Sequence, residues 1–303
     1  MAITAQDVKA LREMTGVGMM DCKKALAASD GDMDKAVEWL REKGLAASAK
    51  KAGRIAAEGM AYAGVIDGVG VVVEVNAETD FVGKNEKFVD FVKGVAATVA
   101  ACAPADLDAL MECKYNGTDL TVTQQQQEMV LVIGENIKVR RFARFAEGTS
   151  VPYIHAGGKI GVLVNLEVTG GIDVTEVGKD MAMQIAALNP RFLDKSQVTQ
   201  DVLDEEKKIL LAQMDNDPKM VSKPAQVKEK IVEGKLNKFY AENCLLQQSF
   251  VKDGDVTVEQ YMNTAAKKLG GTIVLKNAVR FEKGEGIEKK QENFAEEIAK
   301  LAQ

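Results

Sequence analysis

Glu74-Val75-Asn76-Ala77-Glu78-Thr79-Asp80-Phe81-Val82 closes a run that begins at Val69. Val69, Val71, Val72, Val73 and Val75 are β-branched and closely spaced, which predicts a buried strand. The strand stops at a polar bend, and Asp80-Phe81-Val82 follow at once. A ring and a carboxylate side by side beyond a stiff strand end suit presentation to a partner, the one bringing apolar area and the other charge. The opposing reading is that Phe81 starts the next helix and faces the core, the commoner fate of a Phe. Glu74, Glu78 and Asp80 also cluster, a pattern used for acid–base work or for a cation site. Nothing else expected of a hydrolase accompanies them, and a charge run at a loop is ordinarily solvated.

Composition narrows the class. At 303 residues the chain is long enough for two or more cores, and 46% hydrophobic with 28% charged residues is ordinary for a globular protein. A net charge of −6 argues against a chain whose main business is coating nucleic acid. No run of 18 apolar residues is present, so no membrane span is expected. Met1-Ala2-Ile3-Thr4-Ala5-Gln6-Asp7 does not read as a signal peptide, and a cytoplasmic location is expected. Cys22, Cys102, Cys113 and Cys244 show no Cys-x-x-Cys spacing, and His155 is the single histidine. Zinc is not expected, and the cysteines read as buried, reduced thiols. Gly16-Val17-Gly18 and Gly68-Val69-Gly70 lack the rest of a dinucleotide fingerprint, and no phosphate-binding Gly-x-x-x-x-Gly-Lys-Ser/Thr occurs. No cofactor is expected, and no catalytic constellation marks an enzyme.

Along the chain, residues 1–54 read as a small three-helix domain and linker. Thr4 with Asp7 gives a capping-box-like start, and Val8 and Leu11 give the first helix its apolar side. A second helix over 19–28 places Met19, Cys22, Ala25 and Leu26 on one face. Asp32 caps a third, carrying Met33, Ala36, Val37 and Leu40, which Gly44 is expected to end. Residues 46–54, rich in Ala and Lys, read as a linker, for which a helical form stays open.

The middle holds a degenerate repeat. Tyr62 and Gly70-Val71-Val72-Val73-Glu74-Val75 lie on Tyr153 and Gly161-Val162-Leu163-Val164-Asn165-Leu166 at an offset of 91 residues without a gap. Each copy runs into a helical stretch, 84–101 and 175–188. The fold class is therefore α+β, a duplicated core with small antiparallel sheets. Residues 55–148 form the first core subdomain; 149–188 with 246–280 form the second. Residues 189–245 interrupt the repeat with an inserted helical hairpin, its stripes being Val202, Leu203, Ile209, Leu210 and Met214, then Val227, Ile231, Leu236 and Phe239. A helix over 256–269 and a strand over 272–281 complete the second unit. Residues 281–303 form a C-terminal module with an amphipathic helix carrying Phe294, Ile298 and Leu301.

Four collinear motifs add a resemblance. They are Leu11-Arg12-Glu13-Met14-Thr15-Gly16-Val17-Gly18-Met19-Met20-Asp21-Cys22-Lys23-Lys24; Thr79-Asp80-Phe81-Val82; His155-Ala156-Gly157-Gly158-Lys159-Ile160-Gly161-Val162; and Arg280-Phe281-Glu282 with Gly284-Glu285-Gly286-Ile287-Glu288-Lys289. Together they span nearly the whole chain and resemble the elongation factor Ts family, the guanine-nucleotide exchange factors of elongation factor Tu. The resemblance implies a ubiquitin-associated-like N-terminal bundle and a coiled-coil-like arm at 189–245, with a homodimer through that arm as an expectation. It implies elongation factor Tu as the partner, bound through Thr79, Asp80, Phe81, Val82, Lys23, Ile133, Gly134, His155 and Val251, with no direct nucleic-acid or membrane binding. Phe81 would wedge into the GTPase domain and Asp80 would disturb the Mg²⁺ and phosphate site. Two departures stand out: Gly83 where the family commonly has Ser or Ala, and Lys252 where it can carry Met. The alternative is a scaffold without exchange activity, binding another protein or RNA through its N-terminal bundle.

Overall fold

The computed structural model describes residues 3–220 and 223–288. Helices α1 (Ala5–Thr15), α2 (Met19–Ala28) and α3 (Met33–Lys51) enclose a small core of Leu11, Cys22, Ala25, Leu26, Ala36 and Leu40. The Thr4 cap forms in both directions: the Asp7 amide donates to the Thr4 hydroxyl, and the Thr4 amide donates to the Asp7 carboxylate. Gly16, at φ 69°, supplies the left-handed residue that closes α1.

Two expectations for this region are corrected. Met19 faces solvent, 50% exposed, because the inward face of α2 is filled by Cys22, Ala25 and Leu26. Gly44 does not end α3, which continues to Lys51. The residues after Gly44 are good helix formers, and Lys50 and Lys51 complement the C-terminal end of the helix dipole. Gly44 acts instead as a contact point: a Cβ there would lie 3.4 Å from the Gln127 carbonyl oxygen of a neighbouring helix.

The core is built twice. In the first unit β1 (Glu58–Ile66), β2 (Val69–Ala77) and β3 (Lys138–Phe145) form an antiparallel sheet in that order, covered by α4 (Glu86–Cys102), α5 (Leu107–Glu112) and α6 (Val122–Ile133). Asp67-Gly68, both at positive φ, make the tight β1–β2 turn. In the second unit β4 (Thr149–His155), β5 (Ile160–Thr169) and a strand far downstream pair antiparallel, backed by α7 (Thr175–Leu188). The sequence repeat survives in fine detail. The register slips between Glu74 and Val75 in β2 and between Asn165 and Leu166 in β5, positions separated by the same 91-residue offset. Phe88, Phe91 and Val95 of α4 pack on Val71, Val73 and Val75; Met181 and Ile185 of α7 pack on Val162, Val164 and Leu166. Ala61, Ala63, Val72, Leu163 and Phe281 fill the space between the two sheets.

The long excursion before the last strand is a helical hairpin, α8 (Gln200–Asp215) and α9 (Ala225–Asn243). It has a small core of its own at Leu210, Met214 and Val232, while Ile209 and Val227 face outward. Then come the short β6 (Ser249–Phe250) and β7 (Asp253–Thr257), α10 (Val258–Leu269) and β8 (Thr272–Glu282), the third strand of the second sheet. Helix α10 starts at Val258 rather than at 256 because Thr257 and Gln260 form a capping box there. The thiol expectation is corrected in part: Cys22 and Cys244 are free and buried, but the turn after α4 brings Cys102 to Cys113 in a disulfide. The expected helix with Phe294, Ile298 and Leu301 lies outside the described residues. No described helix is long and apolar enough to cross a membrane.

Glu74, read from sequence as part of a solvated charge run, has no exposed side-chain surface at all. Its carboxylate accepts from Arg140 at 2.9 Å, Arg141 at 2.5 Å, Asn76 at 3.0 Å and the Gly284 amide at 2.8 Å. Burial pushes the carboxyl up, but the Gly284 amide, Asn76 and the two guanidiniums outweigh it and hold it below its ordinary 4.5. A depressed carboxyl stabilises the fold fully above the unfolded value and loses that contribution as pH falls through the folded one. Glu74→Gln is therefore expected to lower stability at neutral pH by about 3 kcal/mol. Urea unfolding across a pH series should show the gap between variant and parent closing as pH falls below 4.5.

Candidate functional site

β2 ends at Ala77, residues 78–81 turn, and Val82–Lys84 make one 3₁₀ turn before Asn85 caps α4 by accepting from the Lys87 amide. Within this turn the two apolar side chains part company. Val82 is 6% exposed and belongs to the first core, whereas Phe81 is 80% exposed. An exposed Phe beside a buried Val is held outward by the chain direction. Asp80 stands beside it with an ion pair to Lys84 at 3.7 Å, both side chains well exposed. Such a pair holds the carboxylate weakly, leaving its charge available.

The turn is fixed from both ends. On its far side a Cβ at Gly83 would lie 2.7 Å from the Gly59 carbonyl oxygen, so the side-chain-free Gly83 lets the 3₁₀ turn seat on β1. This glycine, which stood out in the sequence as a departure from Ser or Ala, permits a close approach in the structure. On its near side the Glu78 and Thr79 amides and the Thr79 hydroxyl all donate to the carboxylate of Glu135. Glu78 in turn accepts from the Asn136 amide, and the Asn136 side chain donates to the Arg54 carbonyl. Arg54, Glu135 and Asn136 were missed in the sequence, and Glu78 was read there only as part of a charge cluster, because nothing local links residues 79 and 135.

The expected contact residues fall in several places. Ile133, half-buried, ends α6, and Gly134 at φ 87° is its exposed cap, so Glu135 joins this corner to the Thr79–Phe81 turn. Lys23 is exposed on α2, one turn on from Met19 and Met20, and Met20 is 65% exposed. The exposed side of α2 thus carries two methionines and a lysine. His155 ends β4, exposed, with its Nδ1 2.9 Å from the Tyr153 hydroxyl. Val251 is exposed in the β6–β7 turn, and its amide donates to Gln184 of α7. Beside it Lys252 pairs with Asp180 at 2.6 Å, an oxygen pair that also accepts from the Tyr261 hydroxyl. The structure brings Thr79–Phe81 together with Ile133–Gly134; Lys23, His155 and Val251 stand on separate elements. Among the described residues no cluster of three or more His, Cys, Asp or Glu is placed to hold a metal ion.

Residues 78–285 match the family described as Elongation factor TS. Full-length similarity extends further. The chain is 49% identical to "Elongation factor Ts" of Clostridium kluyveri, over 98% of each chain. It is 47% identical to the protein of the same name from Syntrophotalea carbinolica, over 99% of each. It is 46% identical to that from Magnetococcus marinus, over 100% of each.

Gly83→Ala should force the 3₁₀ turn off Gly59 and destabilise the chain by about 1–3 kcal/mol in urea unfolding. A variant as stable as the parent would show that the turn does not depend on this approach.

Proposed function

The chain belongs to the elongation factor Ts family, and from this premise we propose that it binds elongation factor Tu carrying GDP and promotes release of the nucleotide. The observation that supports this most is Phe81, a large apolar side chain left 80% exposed on a turn fixed at both ends. Phe81 enters the GTPase domain near the nucleotide. Asp80 brings negative charge to the elements that order Mg²⁺ and phosphate, and the nucleotide loses that support. Val82 keeps the turn seated on its own core. Lys23, with Met20 beside it, grips another side of the GTPase domain, and Ile133–Gly134 flank the finger. His155 and Val251, on the second unit, hold a more distant domain. The partner carries the nucleotide, so this chain makes and breaks no covalent bond, needs no cofactor and acts in the cytoplasm, where translation takes place.

Magnitudes fit a division of labour. Burying one Phe contributes about 1.5–3 kcal/mol, and ~1.4 kcal/mol is tenfold in affinity. Phe81 alone therefore shifts nucleotide affinity by about 10- to 100-fold, and the remaining effect falls to Asp80 and the docking contacts. Coupling is reciprocal, so GDP weakens this chain's hold as much as the chain weakens GDP's. The outward apolar residues Ile209, Leu211 and Val227 of the hairpin suit a homodimer through residues 189–245.

Phe81→Ala is expected to slow release of a fluorescent GDP analogue from elongation factor Tu in stopped flow by up to about 100-fold, with most of the docking affinity kept. An unchanged rate removes Phe81 from the mechanism. In sedimentation, Leu211→Glu is expected to convert a dimer to a monomer; identical profiles for parent and variant count against the hairpin interface.

A further inference from the structure

We infer that Glu135 is a positioning residue for nucleotide exchange, setting the direction in which Phe81 is presented by clamping the two amides that precede it. This rests on the exchange reading above. β2 stops pairing at Ala77, so the Glu78 and Thr79 amides have left the ladder just before the finger. Left to water, they would allow residues 78–81 to swing about the buried Val82. The Glu135 carboxylate prevents this with three donors at once: the Glu78 amide at 3.1 Å, the Thr79 amide at 3.0 Å and the Thr79 hydroxyl at 2.7 Å. Hydrogen bonds to an ionised acceptor are the stronger kind.

The clamp is reciprocal. Glu78 returns its own carboxylate to the Asn136 amide at 2.6 Å, so two consecutive residues on each side exchange bonds across the corner. Gly134 makes this possible, because its left-handed turn at the end of α6 swings Glu135 back toward β2. The Thr79 hydroxyl is committed inward, which gives Thr79 a role in holding the finger rather than in touching the partner. A finger fixed before docking loses less conformational freedom when it docks, and a displacement of an ångström at such a site costs up to about a hundredfold in rate.

The test uses the full chain and elongation factor Tu loaded with a fluorescent GDP analogue, with release followed over a range of chain concentrations. Glu135→Ala is expected to lower the saturating rate between about 5- and 50-fold while the half-saturating concentration stays within about threefold. Glu135→Gln, which keeps one acceptor oxygen, should recover part of the loss. Because Glu135 acts through Phe81, the double variant with Phe81→Ala should be no more than about twofold slower than Phe81→Ala alone. In the free chain, hydrogen exchange at the Glu78 and Thr79 amides should accelerate at least about tenfold in Glu135→Ala. A parental saturating rate in Glu135→Ala, multiplicative losses in the double variant, or unchanged amide protection each overturns the proposal. If Glu135→Ala does not fold by thermal melting, Glu135→Gln with the amide readout decides in its place. A parent chain that fails to accelerate release overturns the exchange reading instead, and the amide measurement on the free chain keeps the two failures apart.

Discussion

The Glu74 carboxylate sits in the middle of the central strand of the first sheet and collects Arg140 and Arg141 from β3 and the Gly284 amide from the turn after β8. A buried carboxylate tolerates such a place only when its lone pairs are filled by donors, and here they are. The consequence reaches across the chain, since the Gly284 bond spans 210 residues of sequence. It fastens the end of the second unit to the heart of the first. Arg141 also lies over the Phe281 ring at 4.3 Å, so the same cation that neutralises Glu74 covers the apolar seam between the sheets. The finger projects from the end of the same strand, and its firmness depends on the two sheets not sliding.

The duplication shows how one scaffold was given two chemistries. Both central strands slip register at the same repeat position, and both place a buried polar residue there. In the first copy it is Glu74 with its guanidiniums; in the second it is Asn165, which donates to the Glu147 carbonyl and the Ser150 hydroxyl. The neutral version needs no counter-charge from elsewhere. The second unit carries the helical hairpin between α7 and β6, while the first keeps a charge-tied sheet beneath the Phe81 turn.

What the sequence made legible, and what it hid, divides along physical lines. The Val-rich strands, the Thr4 and Asp32 caps and the 91-residue offset were readable because each is a short-range pattern. Gly44 was misread because a helix-ending glycine and a glycine that lets two helices touch look alike until the second helix is known. Met19 was misread because seven of the ten residues of α2 are Met, Cys, Ala or Leu, and an apolar face that broad does not point one way. The Cys102–Cys113 bond, β3 and the Glu135 clamp left no local trace. Their partners lie 11 to 75 residues away, and only the folded chain brings them together. At the candidate site, residue type marked Asp80 and Phe81, but their outward direction comes from Val82 and Gly83, whose roles are read only in three dimensions.

The unbroken run of α3 has a consequence for the kind of object this molecule can take hold of. Its 19 residues span about 28 Å and lie along α6, whose end carries the corner beside the finger. The exposed Met20 of α2 and the ring of Phe81 are thus carried on one stiff frame rather than on a string. A flexible tether would let each surface bind alone and would accept partners of many widths. Under the proposed function, surfaces carried on one frame act as a gauge, favouring one shape of the body they meet over the others it adopts.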